Sequence, residues 1–180
     1  MSTKCKWING VQTFYNTPMM IACGTISENA EFDSETEAAI FSTTIPVDTF
    51  NDTNMHFRIT LGGHISSGGA DDLTLSLNFG STAVLATLIT SDYPNEDDKA
   101  FICEYVGRIH TTGSTGKVVA QGRLMMEASA MADIKKSTAV AGVTVDLTAV
   151  TTINVSADWD GTTADTDIIV TYGVLELFTQ

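Results

Sequence analysis

From about residue 38 onward, apolar and polar residues alternate along most of this chain. A period of two is the spacing at which successive side chains of a pleated strand face opposite sides. The cleanest run is LTLSLNF, with Leu73, Leu75, Leu77 and Phe79 on one face and Thr74, Ser76 and Asn78 on the other. Met55, Phe57, Ile59 and Leu61 alternate in the same way with His56, Arg58 and Thr60. Two further runs carry Phe101, Cys103, Tyr105 and Ile109, and then Val118, Ala120, Leu124 and Met126. A later run places Ile153, Val155, Ala157 and Trp159 on one face. The segments Ala39–Val47, Ala83–Thr90, AVAGVTVDL and the closing IIVTYGVLELF complete the set. Pro46 confines the first of these to an edge or to its own end, because proline lacks the N–H a ladder needs.

Between the runs stand SSGGADD, SDYPNEDDK, TTGSTGK and DGTTADTD, all rich in residues that tolerate tight turns. Gly122 interrupts a strand and predicts a bulge or a close backbone contact. Leu124–Lys136 has the composition of a helix, but the alternation leading into it favours continued strand. The pattern predicts an all-β domain over residues 37–180, an antiparallel jelly roll or related β-sandwich of about eight strands. Residues 1–36 lack the alternation and read as an irregular N-terminal segment or arm. Its apolar residues, among them Trp7, Phe14, Tyr15, Met19 and Met20, can pack on the domain's own sheet or dock on a neighbouring subunit.

Composition sharpens this picture. The chain has 27 Thr against 9 Lys+Arg, so its polar strand positions are largely β-branched hydroxyls. At 180 residues it is long enough for one domain with a sizeable core. A hydrophobic fraction of 43% excludes an acidic disordered tail. The net charge of -13 argues against a partner nucleic acid held through phosphate contacts. No apolar run approaches the roughly 20 residues of a membrane-spanning helix. The N-terminus lacks a secretory h-region, so synthesis in a reducing cytoplasm is the expectation. Cys5, Cys23 and Cys103 are odd in number and widely spaced, which favours free thiols over a disulfide or zinc framework. The sequons at Asn51 and Asn154 read as chance matches.

Candidate chemistry is sparse. Asp158, Asp160, Asp165 and Asp167 form an acidic loop of the type Ca²⁺ uses, but without EF-hand spacing they read as turn residues. Gly113–Lys117 is too short between its glycines for a phosphate loop and reads as a turn. His56, His64 and His110 lie in different strands or turns without metal-ligand spacing. Trp7, Tyr93, Tyr105 and Trp159 are candidates for a sugar platform, with Trp159 better suited to the core. The chain therefore reads as noncatalytic, with no catalytic, cofactor-binding or metal residue assigned.

The successive stretches IPVDTF, NMHFRITLGGHIS, LTLSLNFGSTAVLAT, GKVVAQGRLMMEA and NVSADWDGTTADTDIIVTYGVLELF carry a resemblance. Over roughly residues 40–178 the chain resembles structural proteins of tailed-bacteriophage virions. The resemblance lies in strands and turns, and it implies a jelly-roll or related β-sandwich used as a building part of a virion. One use it implies is a head decoration (cement) protein, commonly a homotrimer bound to the major capsid protein. The other is a tail- or fibre-associated β-sandwich that binds a host-surface carbohydrate or receptor. The charge of -13 resists self-association in the host cytoplasm before assembly and disfavours packaged nucleic acid, so a position on the virion's outer surface is the expectation.

Overall fold

The alternating runs become strands, and their apolar faces meet in one core between two antiparallel sheets. In this computed structural model the described residues are 5–8, 11–14, 19–23, 25–26, 31–67, 72–89, 96–127, 133–138, 142–150, 152–161 and 166–179. The N-terminal segment supplies β1 (Cys5–Ile8), β2 (Val11–Phe14), β3 (Met19–Cys23), β4 (Thr25–Ile26) and β5 (Glu31–Phe32). Next come β6 (Ala38–Thr44), β7 (Met55–Ser67), β8 (Leu73–Phe79), β9 (Thr82–Ile89) and β10 (Glu96–Thr111). The chain continues through β11 (Gly116–Met126), β12 (Asp133–Thr138), β13 (Val143–Val145), β14 (Thr152–Trp159) and β15 (Asp167–Thr179).

The larger sheet has eight strands, ordered β12-β11-β10-β7-β15-β3, with β13 paired to β11 and β5 paired to β15. The smaller has five, ordered β4-β6-β14-β8-β9, and β1 and β2 form a separate hairpin. The long strands β7, β10, β11 and β15 lie side by side at the centre of the larger sheet. Such a sheet is a rigid platform, because each central backbone is hydrogen-bonded on both sides.

The core follows the alternation residue by residue. Phe57, Ile59, Leu61, Cys103, Tyr105, Ile109, Val118, Leu124, Leu175 and Leu177 enter it from the larger sheet, all buried. Leu73, Leu75, Leu77, Phe79, Ile153, Val155, Ala157 and Trp159 meet them from the smaller sheet. Phe57 and Phe79 join the two layers edge to face, with ring centroids 5.3 Å apart. The fully buried Trp159 donates its indole N–H to the Phe32 carbonyl at 3.1 Å, which fixes β5 against the end of β14. Between β8 and β9 a two-residue turn uses Gly80 at φ 59°, a left-handed conformation that favours glycine.

Several expectations meet the structure differently. Residues 1–36 contribute strands: β3 and β5 extend the larger sheet on β15, and β4 extends the smaller on β6. Their pattern hid this because the pieces are two to five residues long. Part of the expected acidic loop, Glu96–Lys99, is the start of β10 and pairs with β7 across a register shift. The helical composition of Leu124–Lys136 yields to pairing: β11 and β12 run in register from Gln121↔Thr138 to Met126↔Asp133. Pro46 lies just beyond the end of β6. Gly122 sits in an unbroken ladder opposite Tyr105, and a Cβ there would meet the Tyr105 ring at 2.8 Å. The expected close contact is therefore real, and there is no bulge at that position.

Candidate binding face

The outer face of the larger sheet carries the side chains that alternate with the core set. Register arranges them in rows across β11, β10, β7 and β15. The first row is Val119, Arg108, His56 and Phe178. The second is Gln121, Val106, Arg58 and Glu176. The third is Arg123, Glu104, Thr60 and Val174, and the fourth is Met125, Ile102, Gly62 and Tyr172.

The second and third rows hold a ladder of alternating charge. Arg123 Nη2 lies 2.6 Å from Glu104 Oε2, and Arg58 Nε lies 3.4 Å from Glu104 Oε1. Arg58 Nη1 then reaches Glu176 Oε2 at 3.5 Å. Glu104 is the hub, with a side chain only 17% exposed between two guanidinium groups. The Arg58 guanidinium also sits over the Phe178 ring, 5.6 Å from its centroid. Cross-strand pairs of this kind fix side-chain positions more than they add stability.

The fourth row is apolar and open. Of the three large hydrophobic residues exposed among the described residues, Ile102 and Tyr172 both stand here. They flank Gly62, and the Tyr172 ring lies across the space that glycine leaves empty. The first and second rows border a cleft of about 370 Å³. Val106, Phe178, Arg108, His56, Arg58 and Gln121 are among the residues that line it.

The other candidate residues are dispersed. His56 and His64 stand on the outward side of β7, and His110 is exposed near the end of β10. His64 Nδ1 lies 2.8 Å from Asp98 Oδ1. Among the described residues no group of three or more His, Cys, Asp or Glu is placed to hold a metal ion. In the acidic loop, Asp160 accepts the Asp72 backbone N–H at 2.6 Å and returns its own N–H to the Asp72 carbonyl at 3.1 Å. It works as a clasp between the start of β8 and the end of β14. Asp158 lies on β14 and Asp167 opens β15, while Asp165 is outside the described residues. Gly113, at φ 90°, turns β10 into β11, and its carbonyl accepts the Gly116 and Leu147 N–H groups.

Of the expected sugar-platform residues, Trp159 and Tyr105 are buried in the core. Tyr93 lies outside the described residues, and Trp7 is described only as part of β1. The exposed aromatic residue of this face is Tyr172, which the alternation did not single out. A bulge between Val170 and Tyr172 shifts the register, so Ile168 and Val170 point inward on one side of it and Leu175 and Leu177 on the other. The thiol of Cys103 is buried, and burial pushes its pKa up to about 12, which leaves it unreactive. Asn154, one of the two sequons, accepts a hydrogen bond from Asn78 Nδ2 at 3.0 Å on the smaller sheet.

No protein-family model matches the chain, and no curated protein matches it. Among solved structures, a similar chain is that of the CBM2 module of Lactobacillus casei BL23 phage J-1 evolved Dit. The two share 12% identity at a TM-score of 0.36, with 99% of this chain and 80% of that chain covered. At that level of likeness no residue role passes from one to the other.

Proposed function

We propose that this chain is a noncatalytic part of a tailed-bacteriophage virion, carried on the tail, that binds a host-surface carbohydrate or receptor. Support for a virion part is the strand-and-turn resemblance over residues 40–178. The observation that carries the binding role is the exposed Tyr172 ring, set beside Ile102 on a rigid four-strand face with charged rows next to it. A tyrosine combines an apolar ring with a polar tip, which suits the faces and hydroxyls of a sugar. The charge ladder holds neighbouring polar groups in place, so little side-chain freedom is lost on binding. Head decoration is the other use the resemblance implies. It asks for a homotrimer seated on the major capsid protein, and the exposed aromatic row gives it no particular support.

Immunogold electron microscopy of intact particles with an antibody to this chain tests the assignment. Label on the tail is the expected result. Label distributed over the head would return the chain to capsid decoration.

A further inference from the structure

The chain is acidic overall, yet its three arginines share one face. All three of its arginines, Arg58, Arg108 and Arg123, stand on the outward side of β7, β10 and β11. Arg58 and Arg123 are committed to Glu104 and Glu176. Arg108 is exposed and, among the described residues, has no acidic partner. It stands beside His56 at the cleft, diagonal to short Val106, with Arg58, Gln121 and Phe178 also lining it. An opening of about 370 Å³ falls within the roughly 300–1,000 Å³ of small-molecule sites.

We propose that this cleft binds the anionic group, carboxylate or phosphate, of an acidic surface saccharide. An unpaired guanidinium offers a planar fork of donors that matches either oxyanion. The Gln121 amide and the His56 imidazole add groups able to meet sugar hydroxyls. The Phe178 ring adds an apolar wall. The acidic loops of the chain do not cancel this local charge, because exposed charges beyond about 8 Å are screened at physiological salt. The site is shallow and open, with room for a sugar unit laid against the sheet face. The proposal rests on the glycan-binding reading above and names the ligand class.

The test is isothermal titration of the full chain with polygalacturonate, with poly(glycerol phosphate) and with neutral dextran. Binding to at least one anionic polymer, stronger than to dextran, is expected. Arg108→Gln should weaken it about tenfold to a hundredfold, the worth of a charge-assisted hydrogen-bond pair. Lys117→Gln removes the same charge from this sheet outside the cleft and should leave binding unchanged. The responding polymer tells carboxylate from phosphate. Equal binding of all three polymers, indifferent to Arg108→Gln, overturns the anion inference and leaves glycan binding standing. Loss of binding in both variants alike overturns it too, as general charge attraction. Absence of binding to any polymer contradicts this inference and the glycan-binding reading together.

Discussion

The ring of Tyr172 occupies the space that any side chain at residue 62 would need. A Cβ built on Gly62 would collide with the far end of the tyrosine side chain. One residue along, a Cβ on Gly63 would collide with the backbone carbonyl of Ile169. The two adjacent glycines therefore have different tolerances. Tyr172 is 45% exposed and free to swing outward, whereas the β15 backbone is fixed by its ladder.

Gly62→Ala is expected to cost less than about 1 kcal/mol while displacing the Tyr172 ring. Gly63→Ala is expected to reach or exceed the upper end of the roughly 1–3 kcal/mol typical of overpacking. Urea unfolding followed by Trp fluorescence measures both. Equal costs would mean that the ring is as immobile as the backbone.

Glu104→Gln removes the hub of the charge ladder and leaves Arg123 without its carboxylate. The pairs are partly exposed, so the expected loss is only about 0.5–1 kcal/mol, and it should shrink at high salt. Unfolding at low and high ionic strength checks this. A loss that does not depend on salt would point to packing instead.

The Tyr105 hydroxyl is buried in the core beside the Cys103 thiol, a weak partner, and among the described residues no stronger hydrogen bond satisfies it. Tyr105→Phe removes a poorly satisfied polar group and keeps the ring against Gly122. It is expected to leave stability unchanged or to raise it by about 1 kcal/mol. A clear loss would mean that the contact with the Cys103 thiol stabilises the core more than a weak sulfur hydrogen bond should.

Burial raises the pKa of the Cys103 thiol from 9.0 to about 12, and burial also raises that of the Tyr105 hydroxyl. Both groups are neutral when protonated. The folded state therefore holds protons that the unfolded state releases, and stability is lost as pH rises above about 9 towards 12. Each such group steepens the decline by up to about 1.4 kcal/mol per pH unit. Cys103→Ala should flatten the slope between pH 9 and 10, where tyrosine contributes least. An unchanged slope there would place the thiol in contact with solvent.

The sheets were legible in the sequence because alternation and burial share one cause. Leu73 to Phe79 and Ile153 to Trp159 alternate without interruption, and both face the core as the period requires. The short strands β3, β4 and β5 were not legible, since a few residues cannot display a period. The start of β10 was hidden by turn-type acidic residues that a register shift accommodates. The binding face was half visible. His56, Arg58 and Thr60 were readable as the polar side of β7, but their alignment with Glu104, Glu176 and Arg123 depends on register. Register is set by long-range pairing, and no local pattern of residues states it. Tyr172 was missed for a related reason, because a bulge beside it breaks the parity that would have placed it outside.

Glycan binding by the outer face of the larger sheet is best measured on an array of bacterial surface polysaccharides. Wild type should bind, and Tyr172→Ala should weaken binding about tenfold or more, the worth of a buried aromatic contact. Val47→Ala, which trims an exposed apolar residue elsewhere, should bind as wild type does. Silence of the wild-type chain across the array, or full binding by Tyr172→Ala, would rule out this face as the glycan site.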